Sequence, residues 1–273
     1  MKKIAALLCF NLFISTLASA SSDLPTPELT AAQIVEKSVA ARGGLEAWRK
    51  IETMVWIGHV ENSQASASTL PFVLEQKRPN KTRFEIEAQN QLSLRLYDGS
   101  HGWKLRPGSN GAHELQPYSD LELSFAQDGQ GIDGPLIDYK AKGILVALEK
   151  SEEVEGRDAY LLHVKLPSGA NQHVWVDAQS FLEIKSDRES RNAFGQLGSV
   201  SIFYRDYRTV DGVKMPFVIE SIRDTANTTN KMVIEKVSLN LPLADRLFSK
   251  PSAPGQRNGV LPDARRFVLN SSP

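Results

Sequence analysis

Cysteine is almost absent from this sequence. The only cysteine, Cys9, lies in an apolar N-terminal stretch and follows Ala6, Leu7 and Leu8 instead of the small residues that precede a lipidated cysteine. Removal of that stretch leaves a chain without any thiol. Disulfides, thiolate nucleophiles and cysteine-ligated zinc or iron–sulfur sites are then excluded.

The sequence also lacks an excess of charge of either sign. It contains 32 basic and 32 acidic residues. Because Lys2 and Lys3 are the only charged residues among residues 1–20, 30 basic residues remain against 32 acidic ones in the rest of the chain. This balance does not favour nucleic acid or an anionic membrane surface as the main partner, and we expect no nucleic-acid binding.

Motifs of the common enzyme classes are absent as well. There is no Gly-x-Ser-x-Gly elbow, and Gly129, Gly131 and Gly134 neither follow a predicted strand nor open a helix, as a phosphate-binding loop requires. The histidines do not form the pairs, four residues apart, of a helical metal site. They are His59, His101, His113, His163 and His173. We therefore predict no catalytic residues, no metal site and no cofactor.

The N-terminus has the pattern of a cleavable signal peptide. Lys2 and Lys3 precede an apolar stretch at residues 4–17, and small residues follow at 18–20. A membrane anchor is the alternative, but polar residues interrupt the stretch, which is shorter than the roughly 20 apolar residues that span a bilayer. We predict a signal peptide over residues 1–20 and a periplasmic location for the mature protein.

The rest of the sequence has the organisation of one domain between two short terminal segments. Residues 21–29 are predicted to be a flexible leader, and residues 252–273, rich in proline, glycine, serine, asparagine and arginine, a loosely ordered tail. A single domain is predicted over residues 30–251. It opens with a helix, because Thr30 is a good N-cap and Gln33, three residues later, completes a capping box.

Beyond two short helices, apolar and polar residues alternate with the period of two that is typical of β-strands. Phe84 and Ile86, for example, alternate with Arg83 and Glu85. Dipeptides such as Asp-Gly at residues 98–99 separate the alternating runs and are typical of β-hairpins. Short turns without interleaved helices predict a mainly β (α+β) fold with an antiparallel sheet and exclude a doubly wound parallel sheet.

Apolar residues of the predicted strands are numerous enough to form the wall of a cavity. The strand residues expected on one concave side of the sheet are Trp56, Phe84, Ile86, Leu94, Leu96, Trp103, Trp175, Phe203 and Phe217. A helix or loop over residues 117–127 is predicted to cross the sheet with Leu121 and Phe125, beside an apolar segment that contains Leu136. These residues are the candidate apolar cavity. A filled sandwich core explains the same pattern equally well.

Short stretches along most of the domain occur in an order and with a spacing that match those of a known protein family. They are residues 41–48, 78–83, 97–99, 102–103, 138–140, 143, 155–156, 175–177, 207–212, 215–216, 240, 248 and 251. Together they resemble the outer-membrane lipoprotein-sorting protein family, the LolA/LolB-like superfamily of periplasmic carriers. The resemblance implies an open antiparallel β half-barrel of about eleven strands, with a few helices covering a concave face that takes lipid or lipoprotein acyl chains.

Three functions are compatible with such a sequence. The first is a periplasmic carrier or chaperone that shields acyl chains during lipoprotein sorting or envelope lipid transport, with envelope membrane proteins as further candidate partners. The second is an envelope sensor or regulatory module that binds lipids and a protein partner. The third is an enzyme for a small apolar substrate, with a shallow site around His163, His173 and Asp177. We expect the first, and not an enzyme.

Overall fold

A computed structural model describes residues 29–62, 69–88, 91–108, 113–129, 131–191, 197–223 and 228–251. The predicted signal peptide, most of the predicted leader and the predicted C-terminal tail lie outside the described residues.

Two helices open the domain, as the sequence predicts. Helix α1 (Ala31–Ala41) begins after Thr30, whose side chain accepts a hydrogen bond from the Gln33 backbone in a complete capping box. The chain then turns at Gly43, where an added Cβ would lie 2.2 Å from the Gly212 carbonyl oxygen, and continues into α2 (Leu45–Arg49). None of the helices in the described ranges is long and apolar enough to cross a membrane.

The remaining described chain is dominated by one antiparallel sheet. Its strands are β1 (Thr53–Asn62), β2 (Leu70–Lys77), β3 (Lys81–Ala88), β4 (Gln91–Tyr97), β5 (Gly102–Pro107), β6 (His113–Pro117), β7 (Leu145–Val154), β8 (Arg157–Lys165), β9 (Asn171–Asp177), β10 (Glu183–Arg191), β11 (Leu197–Val210), β12 (Val213–Arg223) and β13 (Thr228–Leu239). Helix α3 (Asp120–Asp128) lies between β6 and β7 in the chain, and a short 3-10 helix (Asp245–Phe248) follows β13.

The sheet is open, with β6 at one edge and β7 at the other. Its strand order is β6-β5-β4-β3-β2-β1-β13-β12-β11-β10-β9-β8-β7. The predicted fold class, an open antiparallel sheet with a few helices, is confirmed. The described residues form 13 strands, where about eleven were expected. Strand β2, which the alternation does not reveal, is buried on both faces, and its first five residues, 70–74, form a continuous apolar run.

Curvature of the sheet brings distant strands together. Thr82 on β3 and Ser186 on β10 line one cavity, although six strand spacings separate β3 from β10 in the sheet. In a flat sheet that separation is about 29 Å at about 4.8 Å per strand. The sheet therefore bends around the cavity, as a half-barrel does. We call the face that carries α1, α2, α3 and residues 131–143 the inner face.

The core occupies the inner face. One buried cluster joins α2 to β1, β2, β12 and β13 through residues such as Trp48, Met54 and Phe72. A second joins α1 to β8 and β9 through Ile34, Leu162 and others. The outer face carries smaller apolar clusters, one of them beneath the 3-10 helix. Apolar surface is thus buried on both sides of the sheet.

Candidate functional site

A cavity of about 670 Å³ lies between the inner face and helix α3. The described residues that line it are Leu74, Gln76, Thr82, Leu121, Ser124, Phe125, Asp128, Gly129, Gly131, Gly134, Pro135, Leu166, Ala170, Asn171, Gln172, Ser186, Arg188, Ile202 and Tyr204. Its volume lies within the range of about 300–1,000 Å³ that is usual for ligand-binding clefts. The cavity is partly open to solvent, so a ligand can enter it.

Two smaller cavities extend this space toward β5. One, of about 330 Å³, shares Phe125 and Thr82 with the large cavity and adds Phe84. The other, of about 300 Å³, shares Phe84 with that one and continues along Ile86 and Lys104. Shared lining residues mean that the three spaces adjoin. We call them together the inner groove, an elongated space along the concave sheet.

Some of the polar groups in the wall of the large cavity form hydrogen bonds within the protein. Gln76 Nε2 donates to the Gly131 carbonyl oxygen at 2.9 Å, and the Ser186 and Tyr204 hydroxyls form a hydrogen bond of 2.9 Å. Burial raises the pKa of Tyr204, so its hydroxyl stays neutral. Leu74 and Ile202 supply apolar wall beside these groups. The wall therefore presents mainly apolar surface.

Helix α3 covers the inner groove and rests on the sheet through a few contacts. Ser119 caps it, and Glu122 closes a capping box. Glu122 also pairs with Lys104 at 2.7 Å and Arg95 at 3.2 Å. Burial acts to raise the pKa of Glu122, but the hydrogen bonds from Lys104 and Ser119 and the charge of Arg95 outweigh it and lower the pKa to about 2. No residue of α3 is buried, so the helix is a thin cover.

A buried ionic network fixes the segment 131–143 beneath the sheet. Asp133 Oδ2 accepts from Arg78 at 2.7 Å and Oδ1 accepts from Lys142 at 2.5 Å. Arg42, which follows α1, donates to the Asp133 carbonyl oxygen at 3.2 Å and to Glu183 of β10 at 2.8 Å. The network links both halves of the sheet to the floor of the cavity.

Seven of the predicted cavity residues lie on the inner side. Leu121 and Phe125 line the large cavity, and Phe84 and Ile86 line the smaller ones. The other three are packed into the core: Trp56 and Phe217 join the cluster below α2, and Leu136 is fully buried beside α1. With Leu94, which lines the cavity of about 300 Å³ from its edge, the structure brings five of the predicted residues to the inner groove.

Five predicted cavity residues lie at strand positions of the opposite face, although Leu94 among them also lines the cavity of about 300 Å³. They are Leu94, Leu96, Trp103, Trp175 and Phe203. The register pairs Leu94 with Glu85 and Arg95 with Phe84, so β4 directs its leucines outward. There Leu94 and Leu96 pack with Trp103 and Leu105. Because both faces of this sheet carry apolar clusters, the alternation of apolar and polar residues does not show which face is the inner one.

The part of the large cavity's wall that β10 and β11 supply was not predicted from the sequence. Ser186, Arg188, Ile202 and Tyr204 line the cavity, whereas Phe203 faces the other way, opposite Lys185. The alternation of Ile202 and Tyr204 is the sequence signal for the face that lines the cavity. The prediction instead chose the opposite face because it carries the large aromatic side chain of Phe203. Arg188 carries no sequence signal of a site.

The enzyme alternative gains no support from the geometry. His163 and His173 are neighbours on β8 and β9, with ring centroids 5.7 Å apart, and His173 contacts Asp187 at 2.9 Å. Asp177 instead accepts backbone hydrogen bonds in the turn after β9 and pairs with Ala159 across the strands. The three predicted residues therefore do not converge. Among the described residues, no group of three potential metal ligands converges either.

The fold can be compared with that of known proteins. No protein-family model and no curated protein matches the chain. A domain provisionally classed as an outer membrane lipoprotein-sorting protein, from Vibrio parahaemolyticus, shares 13% identity at a TM-score of 0.52, over 80% of this chain and 96% of that one. A LolA superfamily protein from Nitrosomonas europaea shares 16% identity at a TM-score of 0.51, over 82% and 99%. The chain has a LolA-like fold.

A third solved structure extends the comparison. A DUF1329 family protein from Desulfovibrio piger shares 14% identity at a TM-score of 0.54, over 80% of this chain and 97% of that one. The resemblance predicted from short stretches is thereby confirmed for the fold. In the LolA-like fold of this chain, the inner groove lies where the concave sheet and α3 face each other, and it can accommodate an elongated apolar ligand.

Proposed function

We propose that this protein is a periplasmic carrier that holds the acyl chains of a lipid or lipoprotein in the inner groove. The observation that carries the proposal is the elongated, mainly apolar space under α3, with a main cavity of about 670 Å³. The LolA-like fold supports it, since one structure with this fold is provisionally classed as a lipoprotein-sorting protein.

The energetics of such a groove favour a chain-like ligand. Each buried methylene contributes about 0.8 kcal/mol, so ten of them contribute about 8 kcal/mol without any charged contact. Association costs an estimated 4–15 kcal/mol in lost freedom. A short chain therefore gains too little to bind, whereas a long acyl chain binds. The thin cover of α3 provides a route for entry and release.

The proposal includes a location and excludes catalysis. Cleavage after Ala20 would release a mature protein that starts at Ser21, and N-terminal sequencing of protein from the envelope tests this directly. Retention of residues 1–20 in a membrane-bound form would contradict it. We propose no reaction, because the geometry offers no converging nucleophile and base within the described residues.

The first prediction concerns binding itself. An environment-sensitive fluorescent fatty acid binds the purified protein, and unlabelled fatty acids displace it with affinities that rise about fourfold per added methylene until the groove is full. Titration of a chain-length series measures this. Native mass spectrometry of protein taken from the envelope then identifies the acylated species that it carries.

Two outcomes would contradict the carrier proposal. Well-folded protein that binds no member of the series has a filled core rather than a cavity. Displacement that does not depend on chain length indicates surface adsorption of the probe.

A further inference from the structure

The inner groove contains an arginine that has no acidic partner in the described part of the chain. Arg188 on β10 is the one basic residue among the described residues that line the large cavity. Its guanidinium carbon lies 5.5 Å from the centre of the Phe125 ring on α3. Its side chain remains exposed, since the cavity around it is partly open. The side chain therefore forms part of the wall that a ligand in the cavity would contact.

The electrostatic surroundings of Arg188 favour the binding of an anion. Burial lowers the pKa of Arg188, and the groups that act on its charge are Tyr204 and a second cation, Arg223. Two neighbouring cations repel each other when the groove is empty. An anion within hydrogen-bond distance removes this cost.

Arg223 lies in register with Arg188. Val200 on β11 pairs with Arg188 on one side and with Arg223 of β12 on the other. Directly opposed residues share a face of the sheet, so both arginines belong to the inner face. Arg42, between α1 and α2, contacts the beginnings of β10 and β12. Arg188 and Arg223 lie toward the opposite ends of these two strands. The two cations therefore mark one end of the groove.

We propose that the ligand is an anionic amphiphile whose phosphate or carboxylate group is bound by Arg188, with Arg223 beside it, while its alkyl chain extends along the inner groove. This inference rests on the proposed carrier function and specifies its ligand. Guanidinium groups bind phosphates and carboxylates through two parallel hydrogen bonds, so one arginine suffices to orient the ligand. In the hydrogen-bonded pair of Tyr204 and Ser186, one hydroxyl keeps a free O–H and adds a neighbouring donor.

The test compares ligands that share one alkyl chain and differ in the head group. An alkyl phosphate and a fatty acid displace a neutral fluorescent lipid probe at least about tenfold more strongly than the corresponding alcohol does. Arg188→Gln abolishes this preference, and Arg188→Lys retains part of it. The control is Arg208→Gln, which removes one positive charge from an arginine that pairs with Asp206 and leaves the preference intact.

The remaining outcomes separate this inference from its rivals. If Arg188 only holds α3 through Phe125, Arg188→Gln weakens neutral and anionic ligands equally. If inorganic phosphate competes as strongly as the alkyl phosphate, the site binds free anions and not a head group. If the wild-type protein does not distinguish the alcohol from the anions, the head-group site is refuted while the carrier function stands. If no amphiphile displaces the probe, the carrier function itself fails.

Discussion

Phe84 and Trp103 lie two strands apart and face opposite sides of the sheet. Phe84 on β3 lines the two smaller cavities of the inner groove. The centre of its ring lies 5.8 Å from the centre of the Phe72 ring. Trp103 on β5 packs with Leu96 on the outer face, where it pairs with that residue across the strands. Two aromatic residues in similar sequence contexts are thus separated by the thickness of the sheet.

This pair gives a residue-scale prediction. Phe84→Ala weakens acyl-chain binding by about tenfold, because a phenyl ring in contact with a chain contributes roughly 1–2 kcal/mol. Trp103→Ala leaves binding unchanged, since its ring lies on the other face. Ligand titration measures the first quantity, and urea melts of both variants show how much stability each loses. Equal loss of binding in the two variants would mean that the groove lies elsewhere.

Helix α3 is the element whose stability controls access to the groove. It has no buried residue, and its described contacts with the sheet include the Glu122 ion pairs, the Phe125–Arg188 contact and the hydrogen bond from Asn80 to the Ala126 carbonyl oxygen at 3.0 Å. Elements with few buried apolar contacts open at low free-energy cost. We expect α3 to be the part that moves when a ligand enters.

Glu122 makes the docking of α3 dependent on pH. Its pKa is lowered to about 2 in the folded protein, so ionised Glu122 favours the docked helix. That contribution is complete above the ordinary pKa of about 4.3 and is lost as the pH falls toward 2. The stability difference between wild type and Glu122→Gln therefore shrinks over this range, as urea melts at several pH values measure. Glutamine preserves the capping box, so only the charge changes.

A constant difference between these two proteins from about pH 5 to pH 2 would contradict this account.

At the scale of the whole molecule, the buried network around Asp133 holds the floor of the cavity to both halves of the sheet. Asp133→Asn leaves Arg78 and Lys142 without their carboxylate, and loss of one partner of a buried pair costs about 3–5 kcal/mol. The side chains of Arg78 and Lys142 are 25% and 21% exposed, so water partly solvates both cations. We therefore expect a loss of stability toward the lower end of this range. The shift of the urea midpoint measures it.

Asp138→Asn is the matched control for that substitution. Asp138 pairs with the half-exposed Arg49 at 2.8 Å, and exposed pairs contribute about 0.2–1 kcal/mol. Asp138 also has a positive φ of 54°, which asparagine adopts readily. If the two variants lose equal stability, the network around Asp133 does not hold the molecule together.

Local signals in the sequence determined the parts of this protein that depend on neighbouring residues. The capping box at Thr30 and Gln33, the turn glycines and the alternation of strands predict the first helix and the antiparallel sheet. These features follow from hydrogen bonds and side-chain periods within a few residues of each other, so the sequence is sufficient to find them.

Only the tertiary structure decided which residues meet in the groove. The register of β4 turns Leu94 and Leu96 outward, and the bend of the sheet brings Arg188 of β10 opposite Phe125 of α3. A shift of one residue in register exchanges the two faces of a strand, and both faces here offer apolar clusters to pack against. The alternating pattern is the same whichever face of the strand points inward. The sequence therefore identifies the two faces of a strand but not which of them is concave.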